Sequence, residues 1–149
     1  MTQDMYIYRT QKALYCIRRF AGWTMSDLGD LLGVTKQAIS NWERGRTPFQ
    51  RLQYMGVMTV MQIYITKTPD TSQLLKYTIG LIYDNSISDD NFISIIEKLM
   101  LVAQQSSYAD MLAVSSMLFG DEIKNSSYEP VMIDPDSDYY HWVTSVIQM

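Results

Sequence analysis

The chain has little of the chemistry on which disulfide frameworks, histidine-built metal sites and membrane spans depend. One cysteine, Cys16, among 149 residues excludes an internal disulfide, and one histidine, His141, argues against a histidine-based metal site. The longest uncharged stretch, residues 52–66, is shorter than the ~20 apolar residues that cross a membrane. The N-terminal residues also lack the basic and apolar segments of a secretory signal. We therefore expect a soluble cytoplasmic protein without a cofactor or a metal.

Charge divides the chain into two parts of opposite sign. Residues 1–67 hold nine basic and four acidic side chains, a net charge of +5, whereas residues 68–149 hold three basic and twelve acidic ones, a net charge of −9. The change falls at residues 66–72, a polar, proline-containing stretch suited to a linker. The asymmetry predicts a nucleic-acid-binding domain, 1–67, followed by an acidic dimerisation or partner-binding domain, 68–149.

Apolar residues at helical spacing predict four helices in the basic part. The first covers residues 10–20. The second begins after Thr24, which can form a capping box with Asp27, and the third covers residues 36–44 after the N-cap Thr35. A fourth begins at a proline, which loses no hydrogen bond in the first helical position. That proline is Pro48. The apolar residues predicted to line the fourth helix are Leu52, Met55, Met58, Val60 and Ile63.

The joint between the second and third helices is very short. Residues 33–35 alone separate them, with Gly33 in the left-handed conformation that ends a helix, so the two helices must cross steeply. Such a crossing needs a very small residue at the point of contact, which Gly29 supplies. Ile39 and Trp42 then fall at the spacing that fills the corner. Together these features predict a helix-turn-helix.

Residues 24–48, TMSDLGDLLGVTKQAISNWERGRTP, closely resemble the phage-repressor (Cro/XRE-type) helix-turn-helix family, and the resemblance extends over about residues 10–66. It implies DNA binding through the third helix, two-fold dimers, and repression or activation of transcription. It also implies that Arg18, late in the first helix, pairs with Glu43. Met25 departs from the family pattern, because a glutamine that bonds a phosphate usually stands there and methionine cannot make that bond.

The exposed side of the third helix supplies the side chains that would reach DNA, since a recognition helix presents its N-terminal residues to base edges in the major groove. The predicted base contacts are Lys36, Gln37, Ser40 and Asn41. Glutamine and asparagine can each make two hydrogen bonds to adenine, and lysine can bond guanine or a phosphate. Phosphate contacts set register and affinity. The residues predicted to make them are Thr35, Arg44, Arg46 and Thr47.

Several of these residues also have a simpler interpretation. Thr35 can be a helix cap and nothing more, and Gln37 and Ser40 can be ordinary solvated side chains. A solvated basic face is the simpler interpretation of three basic residues outside the motif: Arg9, Lys12 and Arg51. Six residues of the motif are assigned structural roles: Arg18, Gly29, Gly33, Ile39, Trp42 and Glu43.

The acidic part predicts about four further helices, each with one apolar stripe, as in a small bundle. Ser88 and Ser107 are predicted N-caps, the latter in a capping box with Asp110. The predicted helices cover residues 69–82, 88–103 and 107–120 and, after an irregular stretch over 122–133, a last helix from Asp134. The predicted fold class is therefore all-α: a lambda-repressor-like helix-turn-helix domain followed by a small acidic helical domain.

Two features of the acidic part suggest sites and fail closer inspection. Residues 134–138 alternate acids like the start of a calcium loop, but Tyr139 and Ser145 stand where that loop needs glycine and glutamate. His141 lies among aromatic residues, without a second histidine or a cysteine nearby. No Ser-His-Asp arrangement, glycine-rich phosphate loop or pair of catalytic carboxylates can be placed. We expect no enzyme.

Three functions remain open. The first is a sequence-specific transcriptional regulator, a repressor of phage or mobile-element type, that binds double-stranded DNA through residues 24–51 and forms a homodimer through residues 68–149. The second uses the helix-turn-helix for autoregulation, while the acidic domain binds and inhibits another protein, as an anti-defence inhibitor or antitoxin does. The third is a ligand sensor with a Met- and Tyr-rich C-terminal core, for which the sequence offers no convergent polar residues.

Overall fold

The computed structural model describes residues 3–125 of the chain, which form helices joined by short turns. The eight α-helices are α1 Gln3–Lys12, α2 Leu14–Phe20, α3 Met25–Leu32, α4 Lys36–Glu43, α5 Arg51–Lys67, α6 Gln73–Ile82, α7 Asp89–Ala103 and α8 Tyr108–Phe119. A 3₁₀ turn, Pro69–Thr71, joins α5 to α6. Residues 3–125 contain no strand, which confirms the all-α prediction. No helix within this range is long and apolar enough to span a membrane.

Side-chain caps set the N-terminal ends of four helices. Thr24 and Asp27 form a reciprocal capping box at α3, with hydrogen bonds of 2.9 and 3.0 Å. The Thr24 N–H and hydroxyl stabilise the carboxylate and lower the pKa of Asp27. The hydroxyl groups of Thr35, Ser88 and Ser107 each accept a hydrogen bond of 3.1 Å from the third N–H of α4, α7 and α8. These four predicted N-caps are confirmed.

The predicted first helix, residues 10–20, is wrong at its start and in its continuity. Helix α1 already begins at Gln3, because Tyr6 and Ile7 also pack against the core. Ala13 separates α1 from α2, although its N–H still donates to the carbonyl of Arg9 at 3.0 Å. The two helices therefore form one interrupted segment.

The predicted start of the fourth helix at Pro48 is also wrong. Helix α5 begins at Arg51, and the side-chain oxygen of Gln53 accepts from the N–H of the N-cap Gln50 at 3.0 Å. Leu52 and Met55 of the predicted lining are 77% and 50% exposed, because the inward side of these first turns is taken by other residues. Those inward residues are Tyr54 and Val57, while Met58, Val60 and Ile63 are buried as expected.

Side chains from the basic and acidic parts lie in one hydrophobic core. Helix α2 packs against both α6 and α7, and the same cluster of buried residues contains Leu14, Ile17, Leu75 and Phe92. The predicted linker holds the 3₁₀ turn and the fully buried Ser72, and α6 begins later than the predicted residue 69. The division into domains at residues 67 and 68 stays a prediction.

Arg9 was expected on a solvated face, and this expectation is wrong, because its side chain is fully buried. Its Nε donates to the carboxylate of Asp89 at 2.9 Å. Its Nη1 donates to the carbonyls of Leu81 and Asp84 at 3.1 and 3.0 Å, and its Nη2 to that of Ile87 at 2.9 Å. Arg9 thus binds α1 to the connection between α6 and α7. Lys12 and Arg51 of the same expected face are exposed.

Several predictions fall on residues 126–149, outside the described part of the chain. They concern the last helix from Asp134, the acidic residues 134–138 that resemble the start of a calcium loop, and His141. Of the predicted irregular stretch over 122–133, residues 122–125 are described and form turns.

Candidate nucleic-acid interface

Helices α3 and α4 meet at a corner that leaves no room for a side chain at position 29. A Cβ on Gly29 would lie 2.7 Å from the carbonyl oxygen of Val34, closer than any real contact of this kind. The N–H of Val34 donates to the carbonyl of Gly29 at 2.9 Å. Gly33 ends α3 at φ +71°, a left-handed conformation that glycine adopts without strain. The corner therefore fixes the direction of α4 relative to α3.

A buried ion pair fixes the other end of α4. Arg18 of α2 donates from Nε to Glu43 Oε2 at 2.7 Å and from Nη2 to Glu43 Oε1 at 3.1 Å. The two side chains are 8% and 5% exposed. Arg18 Nη1 also donates to the carbonyl of Trp23 in the turn before α3, at 3.1 Å. The planar guanidinium matches the carboxylate with two parallel bonds, so the pair holds α2, α3 and α4 in one arrangement.

Gln11 supports the turn after α4, a role that sequence patterns did not reveal. Its Nε2 donates to the carbonyls of Trp42 and Thr47 at 3.1 and 2.8 Å. Its Oε1 accepts from the N–H of Phe49 at 3.0 Å, and the ring of Phe49 packs edge-on against Trp42 at 5.3 Å between centroids. One amide on α1 therefore positions the backbone on both sides of residues 44–47. Nothing in the local sequence marks this glutamine, because its partners lie more than 30 residues away.

On helix α4, two side chains lie in the core and four lie on the outer side. Ile39 is 0% and Trp42 6% exposed. The outward residues are Lys36 and Gln37, which are exposed, and Ser40 and Asn41, which are half-buried. The Nε2 of Gln37 donates to Oδ1 of Asn41 at 3.1 Å, so the two amides lie side by side. The four predicted base-contacting residues thus share one side of α4.

The four residues predicted to contact phosphates flank α4 and are all exposed: Thr35, Arg44, Arg46 and Thr47. Gly45 has a φ of +71°, and the N–H of Arg46 returns to the carbonyl of Asn41 at 2.9 Å. Since Arg18 binds the carboxylate of Glu43, the nearest acid in sequence is neutralised by a partner other than these arginines. This leaves a positive surface around the end of α4.

Met25 is the first residue of α3. In the family that the sequence resembles, a phosphate-binding glutamine usually stands at this position. The Met25 side chain is half-buried and packs against the hydrophobic core. It therefore contributes to packing and offers no hydrogen bond at the start of α3.

Residues 17–50 match the family model described as helix-turn-helix. Over this segment the chain is similar to Cro/C1-type helix-turn-helix domains. Domains of this family bind DNA in transcription regulators. The matched residues run from α2 to the N-cap of α5 and include all eight predicted DNA contacts. No curated protein matches the chain, and no solved structure matches it.

Proposed function

We propose that the chain is a sequence-specific transcriptional repressor of phage or mobile-element type that acts in the cytoplasm and reads the major groove with α4. The outward side of α4 carries this proposal. Gln37 and Asn41 present adjacent amide groups, which suit adenine, and Lys36 adds a donor that suits guanine N7 and O6. Ser40 completes this surface as a donor or acceptor.

Phosphate contacts at both ends of α4 orient the helix in the groove. Thr35 lies at its N-terminus, where a backbone phosphate is attracted by unpaired N–H groups. Arg44, Arg46 and Thr47 lie in the turn after α4, whose backbone Gln11 holds in place. These contacts supply affinity for any sequence, whereas the base contacts discriminate between sequences.

We further propose that the protein acts as a homodimer through residues 68–149. A single helix-turn-helix covers a few base pairs, and dimers read two half-sites about 34 Å apart. Helix α8 favours an interface in this part of the chain, because Met117 and Leu118 are 83% and 39% exposed. Exposed apolar side chains that lie together are typical of protein-binding surfaces.

Selection of duplexes from a random library by the full chain tests this function. The proposal predicts an enriched sequence with two-fold symmetry and half-site centres one helical turn apart, about 10–10.5 base pairs. A library selected with the Gln37→Ala/Asn41→Ala variant serves as the control, and it should lose the adenine positions of the motif. Recovery of no motif by the unmodified chain, at low salt, would refute sequence-specific binding.

A second function, inhibition of another protein by the acidic part, is favoured by the charge of residues 68–149, which is −9. A surface of this sign can imitate nucleic acid or cover a basic site. Light scattering separates the two functions. A dimer at micromolar concentration is expected for the repressor, whereas a strict monomer favours the inhibitor, for which DNA binding would serve autoregulation.

A further inference from the structure

A cleft of about 400 Å³ lies next to the helix-turn-helix, between the end of α2 and the connection from α7 to α8. Residues 19–22 form one wall, and residues 106–108 with Met111 form another. Tyr64 of α5 and Thr71 of the 3₁₀ turn complete the lining. Small-molecule sites enclose roughly 300–1,000 Å³, so this cleft has the size of a site for a small metabolite.

Arg19 brings a fixed positive charge to the cleft. Its Nε donates to the carbonyl of Ala103 at 2.8 Å and its Nη2 to that of Gln105 at 2.7 Å. Within residues 3–125, Nη1 makes no hydrogen bond. Among the described residues the guanidinium is therefore held by two bonds, and its Nη1 keeps donors for a further acceptor. A side chain that is already restrained in this way loses less entropy when a ligand binds.

The rest of the lining suits an anion with an apolar body. None of the described residues that line the cleft is acidic, and Ser107 and Thr71 supply hydroxyl groups. The Ser107 oxygen accepts from the N–H of Asp110, so its proton stays available to a ligand. The carboxylate of Asp110 accepts a long hydrogen bond, 3.5 Å, from Ser106.

Apolar contacts come from a separate set of cleft residues: Phe20, Ala21, Tyr64 and Met111. Tyr64 is held by an edge-to-face contact with Trp23, at 5.4 Å between ring centroids. An aromatic or aliphatic group in the cleft would therefore lie against side chains that are already positioned.

We propose that this cleft is a binding site for a small organic anion, whose phosphate or carboxylate group lies against Arg19 and whose apolar body lies against Phe20 and Tyr64. A ligand there contacts Ala21 and Gly22, which lead into Thr24, the cap of α3. The ligand-sensor function left open by the sequence thus has a candidate site between the two parts of the chain. Its test needs no DNA and does not depend on the proposed repressor function.

Three probes of similar size show which chemical group the cleft binds: phenyl phosphate, benzoate and the uncharged benzyl alcohol. Each is titrated into the full ¹⁵N-labelled chain while amide shifts are followed by NMR. At least one of the two anions should give saturable shifts at Gly22, Ser106 and Ser107 with a dissociation constant of about 1 mM or below. Saturation by phenyl phosphate alone assigns the site to phosphate esters, and saturation by benzoate alone assigns it to carboxylates.

Two variants test the role of the cleft itself. Arg19→Gln should weaken anion binding at least tenfold, since it removes the charged donor. Ser106→Phe fills the cleft from an exposed turn and leaves the Arg19 bonds intact, so it should abolish binding even if Arg19→Gln does not fold. Lys12→Gln, an equal change of charge on the exposed end of α1, is the control and should bind normally.

Three results would overturn the proposal. The first is an absence of saturable shifts at these amides with both anions at concentrations up to ~10 mM, which is well above the dissociation constant expected for probes of this size. The second is binding of benzyl alcohol as tightly as either anion, which would make the cleft a plain apolar surface. The third is unchanged anion binding by the Ser106→Phe chain.

Discussion

The guanidinium of Arg9 is fully buried and donates to the carboxylate of Asp89, which follows it by 80 residues, at 2.9 Å. The same side chain donates to carbonyls at the end of α6 and in the loop before α7. Arg9 therefore spans the basic and acidic parts of the chain, and its hydrogen bonds cannot form unless both parts are folded against each other.

Replacement of Arg9 tests this dependence. Arg9→Leu leaves several buried carbonyl groups without donors and should lower the free energy of unfolding by about 3 kcal/mol. Lys12→Leu, on the same helix but exposed, should change it by less than about 0.5 kcal/mol. Chemical denaturation of both variants measures the difference. Equal stability of the two variants would show that Arg9 does not hold the parts together.

Gly29 offers a second test, now of the corner between α3 and α4. Gly29→Ala places a Cβ against the backbone carbonyl of Val34, which cannot move without shifting α4, so we expect a loss of about 1–3 kcal/mol. Gly56→Ala in α5 is the matched control: its Cβ would meet the flexible end of Leu32 at 3.2 Å, and alanine favours helix formation. Thermal unfolding should show a clear loss for the first variant and a change within about 1 kcal/mol for the second.

Arg46 tests the phosphate contacts by their dependence on salt. Arg46→Ala should weaken binding to all duplexes alike and reduce the slope of log affinity against log salt concentration by about 1 for each chain. Titration between ~50 and ~200 mM salt measures this slope. A loss confined to particular sequences would instead make Arg46 a base contact.

Cys16 reports whether the core shared by both parts opens. Burial raises the pKa of its thiol to about 12, well above the value of about 8.5 in an unfolded chain. The folded state thus favours the neutral thiol, and this contribution to stability is present at neutral pH and is lost as the pH rises above about 9. We expect alkylation by iodoacetamide at pH 8 to be slow in the native chain and fast in denaturant. Rapid alkylation of the native chain would mean that the core opens readily.

The helix-turn-helix was predictable because its signals are local. Thr24, Asp27 and Thr35 cap helices within three residues of themselves, and Gly29 and Gly33 fit a corner that spans few residues. The remainder of the structure depends on long-range contacts. A buried arginine and a solvated arginine look alike in a sequence, so the carbonyl partners of Arg9 and Arg19 could not be inferred.

The start of α5 was predicted wrongly for a related reason. Pro48 is compatible with a first helical turn, but Gln11 binds the backbone at Thr47 and Phe49, and this segment stays out of a helix until Gln50. The contact crosses 38 residues between Gln11 and Phe49. The cleft beside Arg19 was equally hidden, because its walls come from four separate segments of the chain.

Affinity of the full chain for its selected duplex, compared with that of the Gln37→Ala/Asn41→Ala chain, tests the central claim most directly. We expect the double variant to lose about 1–3 kcal/mol at each adenine read by these amides while it keeps its affinity for unrelated DNA. Equal discrimination between the selected and unrelated duplexes by both chains would contradict base reading by α4.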